Sequence, residues 1–590
     1  MTERTRESAT SNSILSVWGP LVGLLVIMTS IYSTTLTYGY SWDDELFLNK
    51  SPRIGDATNI TKAFSVDYWG LVDNPASPQG SPFYRPLSLV HLILERSIFG
   101  SEPILFRAVH TMWHLLNIVL VFVFARAFQK GSSPHGPFFA ATAFAFFPNT
   151  VDTVLFLTSI GDLMALSFLL LAALSFLEWL SSAKTRFVFG TALASFCAML
   201  SKESAVSIPL VLAAVYLHRG APELHKRALG AIAASIAAVT IFLILRATTV
   251  TSVTLSSLLE LIKWLPADLA IAFRWTIAPF SLVLEQEISH ELGNLPWALG
   301  SLGIIAVLFL GVRYRRFSHV IAGVAIWIVS VIPSLVALQW TQAFAPRYLY
   351  LPALGIALVV GYFAASTRRS VRILLGVLLL GAGLATASRT VDWSDRVTLW
   401  SIEVSRQPNS LSALTNLGNI LADRGEYNQA LVFQMRAAQV AEQQNSRCDA
   451  AFAYSNAATI LSRYLNDIET AKDLYKKCIV LCPYKARNAW MGMARIYARD
   501  AQWPQAMQAV RNAFKVGPRD PPVLLLRASI FAARGRIEEA LADLTEARGL
   551  ELPSSPQFVY INQKITELNN WRANNDSIKE STENGTENRP

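Results

Sequence analysis

The sequence predicts an all-α protein in two parts, a multi-pass membrane-helical part followed by a solenoid of helical repeats. Three observations predict it. The 590-residue chain is 52% hydrophobic, above the usual apolar share of a soluble protein, and too long for one core. That excess is confined to residues 14–389, where long apolar runs alternate with short charged loops. Residues 390–590 instead read as ordinary amphipathic helices in which small residues recur at a fixed period.

A spanning helix needs about 20 predominantly apolar residues. Runs of this kind place eleven spans near 14–35, 104–125, 138–150, 162–180, 187–201, 204–217, 228–245, 296–312, 318–338, 348–366 and 371–388. The first lacks a small-residue cleavage site and reads as an uncleaved span. Of the net charge of +9, residues 1–389 carry +7 and the remainder +2. Basic charge in the membrane part sets topology rather than binding nucleic acid. Arg4/Arg6, Arg126/Lys130, Lys184/Arg186, Arg219/Lys226/Arg227, Arg313/Arg315/Arg316 and Arg368/Arg369/Arg372 fall in alternate loops. These become cytoplasmic if residues 1–13 are inside. The segment 255–281 then reads as a re-entrant or interfacial helix, since a full span there would move Arg313–Arg316 outside. An odd span count leaves the long loop 36–103 and everything after residue 389 on the outer face: periplasmic, extracellular or lumenal.

The second part carries a 34-residue signature. Tetratricopeptide repeats place small residues where their two helices touch. Here Ala430/Ala437, Ala471/Cys478, Ala506/Ala513 and Ala540/Ala547 form four pairs, with first members 41, 35 and 34 residues apart. Pro483, Pro518 and Pro553 recur every 35 residues and end the second helices. The repeats therefore occupy residues 390–572, with an insertion around Arg463–Ile468. Residues 573–590 are polar and expected to be disordered. Among the four cysteines, Cys478 and Cys482 have no second pair to complete a zinc site. Cys448 opens the first helix of the second repeat and Cys482 ends its partner, so antiparallel packing would let them form a disulfide in an oxidising compartment. Cys478, at a small-residue position, is expected to stay buried and reduced.

Charged residues gather in the outer loops. Asp43, Asp44 and Glu45 stand together after the first span; they are either a base or cation site, or a solvated helix start. Arg85, just before a helix, could grip a phosphate by two parallel bonds or pair with a loop acid. Asp152 follows Pro148 and Asp162 opens the next span; each is read as a cap or as part of a metal or second acidic site. Lys202 and Arg347-Tyr348 lie at the outer ends of two further spans, as solvated turns or as phosphate ligands. His110 and His114, at i, i+4 in the second span, have no evident third metal ligand. The acids and cations come from four loops that the topology puts on one face. Carboxylates to accept a hydroxyl proton, beside cations to hold a phosphate leaving group, are what transfer from a lipid phosphate requires.

The ordered set of motifs is Trp42-Asp43-Asp44, Asp67-Tyr68-Trp69-Gly70, Tyr84-Arg85-Pro86-Leu87, Phe147-Pro148 with Asp152, Asp162-Leu163, Lys202-Glu203 and Arg347-Tyr348-Leu349-Tyr350-Leu351-Pro352, followed by the repeats. Over about residues 14–553 it resembles the transmembrane and tetratricopeptide-repeat (TMTC) proteins. It is more distantly similar to the protein O-mannosyltransferases of the GT-C glycosyltransferase class. The resemblance implies a GT-C-like membrane domain that transfers a hexose, typically mannose, from a polyprenyl- or dolichyl-phosphate carrier to Ser or Thr of a protein. It implies Asp43 and Asp44 as the catalytic centre, while Arg85, Lys202, Arg347 and Tyr348 are expected from their charge and placement to form the donor-phosphate site. The sequence departs from the pattern where Phe147 replaces His, Asp152 stands for Glu, and Pro346 precedes Arg347 in place of Glu. No cofactor is required by any motif; a divalent metal would fall to Asp152 and Asp162. The expected partners are the lipid-linked sugar, a protein acceptor held by the repeats, and the bilayer, with no nucleic acid. Two alternatives stand beside this reading: a non-catalytic, membrane-anchored scaffold, and a GT-C transferase acting on lipid or polysaccharide. A transporter fits less well, because the ionisable groups cluster in loops rather than at mid-membrane.

Overall fold

The computed structural model describes residues 3–72, 81–129, 133, 135–219, 221–250, 265, 268–279, 282–287, 303, 306, 313, 318–341, 343–366, 368–551 and 556–586. It forms two compact units, Met1–Leu399 and Trp400–Pro590. Both are α-helical, apart from a two-stranded antiparallel pair, Gln286–Glu287 with Ala343–Phe344.

Among the described residues of the first unit, six helices are long and apolar enough to cross a bilayer: Trp18–Thr37, Pro103–Phe128, Leu157–Ser182, Pro222–Ala247, His319–Val336 and Arg369–Asp392. The pair His135–Ala145 and Asn149–Leu155 makes a seventh candidate, bent by 62°. Pro148 at the bend removes a backbone donor and ends the first helix of the pair. Three of the expected spans, near 187–201, 204–217 and 348–366, are shorter helices: Arg186–Ser201, Ile208–Arg219 and Ala353–Ser366. Of the expected span at 296–312 only residues 303 and 306 are described. The eleven-span count is therefore not confirmed, but a multi-pass membrane unit is.

Helix direction alternates through this unit. Tyr38, Arg107, Leu155, Ser201 and Arg246 all lie at one end, tied by hydrogen bonds from Arg107 to Tyr38 and Leu155, from Ser88 to Ser201, and from Arg246 to Pro82. The opposite end joins Arg219 to Ala127 and Trp179 to Arg227. The chain reaches Val250 near the first end and is there again at Trp275, whose carbonyl accepts from Asn149. Of the segment 255–281, expected to be re-entrant or interfacial, only residues 265 and 268–279 are among those described. The helix Arg369–Asp392 also finishes at this end, where Arg389 meets Asp152.

The second unit is a tetratricopeptide-type α-solenoid. Its helix pairs are Leu411–Asp423 with Tyr427–Gln443, Arg447–Ile460 with Ile468–Leu481, Arg487–Arg499 with Trp503–Lys515, and Pro521–Ala533 with Ile537–Leu550. All eight small residues that set the period are buried, at 0–3% exposure. Two glycines show why bulk is excluded where the helices cross: a Cβ on Gly418 would meet the Gln434 amide at 2.6 Å, and one on Gly492 would fall inside the Tyr475 ring. The long interval in the second repeat is absorbed by a π-helical turn, Leu461–Leu465, closed by Asn466 in the left-handed conformation. The last helix, Pro556–Thr586, runs through most of the tail expected to be disordered. From residue 557 to 584 that tail holds neither glycine nor proline, so no residue interrupts the helix.

Cys448 and Cys482 form the disulfide, with Cα atoms 5.0 Å apart. Cys478 is free and buried.

Candidate active site

The acidic pair is set by a strained turn. Trp42 has φ 51°, in the left-handed region, a conformation that costs a bulky residue about 1–2 kcal/mol. Its indole stacks on Phe156 at 5.3 Å, which holds the turn in place. The two acids that follow are then treated differently.

Asp44 is fully buried. Its Oδ1 accepts the Thr158 backbone N–H at 2.9 Å and its Oδ2 lies 3.4 Å from the Ser41 hydroxyl. Burial pushes its pKa up to about 6, against the stabilising hydrogen bond from Thr158 and the positive charge of Arg107. Arg107 itself donates to the carbonyls of Tyr38, Gly39 and Leu155. Asp44 thus ties the acidic loop to the first turn of Leu157–Ser182 and faces Arg107 near the start of Pro103–Phe128.

Asp43 is half-buried and accepts no hydrogen bond among the described residues. Burial pushes its pKa up to about 7; Arg347 pulls the other way, and Glu285 and Asp44 add to the rise. A carboxylate titrating near neutrality is suited to general-base work.

Three cations gather at this end of the unit, of which Arg347 acts directly on Asp43 and the other two on Asp162. Arg347 donates from Nη2 to Glu285 at 3.0 Å, and its guanidinium centre lies 5.2–5.4 Å from the rings of Phe156, Tyr348 and Trp42. The short strand pair positions Glu285 beside it. Lys202 donates to Asp162 at 2.5 Å and sits 5.5 Å from the Tyr348 ring centroid. Burial lowers its pKa to about 8; Asp162 opposes this, while Arg85 and Arg347 reinforce it. Arg85 donates from Nε to Glu203 at 2.8 Å and stacks over Phe83 and Tyr68. The other oxygen of Glu203 accepts the Tyr84 N–H at 2.6 Å. Both terminal nitrogens of Arg85, and Nε and Nη1 of Arg347, carry no hydrogen bond among the described residues. These groups remain available to an oxyanion.

Of the sequence-expected residues, Asp43, Asp44, Arg85, Asp162, Lys202, Arg347 and Tyr348 gather at one end of the helical unit. Asp152 does not join them as an open acid. It accepts two bonds from Arg389, at 2.9 and 3.0 Å, and a third from Trp393 Nε1 at 3.0 Å. Asp162 is paired to Lys202, so neither acid of the expected metal pair is uncommitted. No group of three or more His, Cys, Asp or Glu with metal-binding spacing occurs among the described residues. His114 contacts the Tyr350 hydroxyl at 2.9 Å, the buried polar contact that its sequence context also allows. Sequence reasoning passed over Arg107, Glu285 and Arg389. Arg107 and Arg389 were visible as lone charges near the ends of apolar helices, a pattern that marks functional or structural pairing. Glu285 sat beside the least regular segment and gave no such signal.

No family model matches the chain. Its relatives include human TMTC3, a protein O-mannosyl-transferase 22% identical over 621 aligned residues, covering 92% of this chain and 65% of that protein. Mouse TMTC2, also a protein O-mannosyl-transferase, is 28% identical over 192 residues, 32% of this chain and 22% of its own length. The chain thus spans less than two thirds of the length of these relatives. Among solved structures, ArnT from Cupriavidus metallidurans bound to undecaprenyl phosphate aligns over 82% of this chain and 80% of its own, at 13% identity and a TM-score of 0.36. The Thermus thermophilus tetratricopeptide protein TTC0263 aligns over 34% of this chain and 98% of its own, at 19% identity and a TM-score of 0.25. Neither superposition is close enough to carry an argument about the site. Along 92% of its length this chain is similar to a TMTC protein O-mannosyl-transferase.

Proposed function

We propose that the chain is a membrane glycosyltransferase that moves a hexose, mannose by analogy with its relatives, from a polyprenyl-phosphate carrier to Ser or Thr of a protein on the outer face. The observation that carries this reading is Asp43: half-buried, without a hydrogen-bond donor among the described residues, and titrating near 7 beside Arg347. In the proposed step Asp43 accepts the proton of the acceptor hydroxyl. The hydroxyl oxygen bonds to the anomeric carbon as the bond from that carbon to the phosphate oxygen breaks. The released phosphate takes the bonding electron pair, and Arg85, Lys202 and Arg347 stabilise its charge. Asp44, with its oxygens committed to Thr158 and Ser41, positions the loop rather than the proton. Lys/Arg alternation supports an outer-face site, with the repeats on the same side, because the helix Arg369–Asp392 ends at the site.

One observation favours the non-catalytic scaffold as a second reading. Each of the three cations already has a carboxylate partner: Glu203, Asp162 or Glu285. Intact-mass analysis of outer-face proteins from cells with and without this gene separates the two. Loss of a hexose from Ser/Thr sites supports transfer; an unchanged glycoprotein profile supports the scaffold.

A further inference from the structure

The second and third repeats hold cations that the rest of their surface does not explain. Lys472, Lys476, Lys477, Arg487 and Arg499 each pair with a carboxylate. The side chains of Arg463, Lys485 and Arg495 make no ion pair or hydrogen bond among the described residues. Arg495 is half-buried, and burial together with the like charge of Arg463 holds its pKa below the ordinary value. An arginine kept partly out of water beside a second arginine, with no carboxylate, lacks its natural counter-charge.

Next to these cations lies a cavity of about 150 Å³ between the first helices of the two repeats. Asp449, Phe452, Ser455, Lys485 and Asn488 line it, beside the Cys448–Cys482 bridge. Phe452 is 51% exposed, and Asn488 has no hydrogen bond among the described residues. Asn488 and Arg495 are seven residues apart and share one stripe of the helix Arg487–Arg499, about 10 Å apart along its axis. An extended chain covers that distance in about three residues.

We propose that this surface binds an extended acidic peptide. One carboxylate lies on Arg495 and Arg463, another on Lys485, and the Asn488 amide pairs with the peptide backbone while an apolar side chain enters the cavity against Phe452. This rests on the reading of a protein acceptor, and it names the acceptor class: Ser/Thr segments flanked by Asp or Glu.

The test uses the full chain in detergent, without donor, and a fluorescent peptide carrying Ser, Thr and spaced Asp residues. Its counterpart has every Asp replaced by Asn. Anisotropy should show the acidic peptide binding about tenfold more tightly, as charge-assisted pairs at a partly buried site would give. That advantage should vanish in Lys485→Gln/Arg495→Gln and shrink in about 0.5 M salt, while Arg519→Gln, on a different and already paired cation, should keep it. Equal binding of the two peptides, or a preference that survives in the double variant, overturns the proposal. Asp43→Asn should retain the preference, which separates docking from catalysis. A preference without any transfer leaves this surface standing and removes the enzymatic reading. Transfer to both peptides with equal affinity does the reverse.

Discussion

Asp152 and Arg389, 237 residues apart in sequence, meet in a bidentate pair buried to within 5% of full exclusion from solvent. The pair fixes the second of the bent helices, Asn149–Leu155, to the end of Arg369–Asp392. Removing one partner of such a pair leaves an uncompensated buried charge, at a cost of about 3–5 kcal/mol. Arg389→Met should therefore lower the melting temperature of the detergent-solubilised protein sharply, and Asp152→Leu/Arg389→Met should recover much of the loss. Thermal-shift measurements on the three proteins decide it; a single variant as stable as the wild type would show that the pair does not anchor this helix.

Transfer should depend on pH through two groups of opposite sign. Asp43 works as a base only when deprotonated, so the rate should rise as pH increases through about 7. Lys202 stabilises a phosphate only when protonated, so the rate should fall as pH passes about 8. The outcome is a narrow bell in kcat/KM, with apparent values belonging to the coupled site. Asp43→Asn should remove the acid limb from whatever activity remains. A profile flat from pH 5 to about 9 would detach both groups from the reaction.

The repeat unit should carry one disulfide. Closing the Cys448–Cys482 loop, 34 residues apart in sequence, constrains the unfolded chain and contributes about 2–4 kcal/mol. Non-reducing peptide mapping should recover these two cysteines linked and Cys478 as a thiol that alkylates only after denaturation. Cys448→Ser/Cys482→Ser should melt earlier than wild type without losing its helices. Recovery of both cysteines as free thiols from an oxidising compartment would contradict the assignment.

Much of this was legible in the sequence where a single periodicity decides the answer. Small residues at Ala430, Ala437, Ala506, Ala513 and their equivalents betray the repeats because only small side chains fit where the paired helices cross. The long apolar helices were equally plain. Their number was not, since Pro148 bends one candidate and helices such as Ile208–Arg219 are too short to span alone. The acids and cations of the site were found because unpaired charge at the ends of apolar helices is unusual. What they pair with depends on contacts across more than 100 residues, as for Arg85 with Glu203 or Asp44 with Thr158. No local pattern encodes those, and so Asp152 and Asp162 read as an open acidic site when each is matched to a cation.

The division of labour between the two adjacent acids is the central claim, and one assay tests it most directly. Purified wild type, Asp43→Asn and Asp44→Asn are given a radiolabelled polyprenyl-phosphate hexose and a Ser/Thr peptide, and initial rates are measured under saturating substrate. Loss of a positioned general base should lower kcat about 10²–10⁴-fold in Asp43→Asn, with peptide binding and melting temperature unchanged. Asp44→Asn keeps an oxygen to accept from Thr158 but removes the charge beside Arg107 and the second carboxylate oxygen facing Ser41, and should lower stability together with rate. Full transfer by Asp43→Asn would contradict the account and leave the membrane unit as an anchor for its repeats.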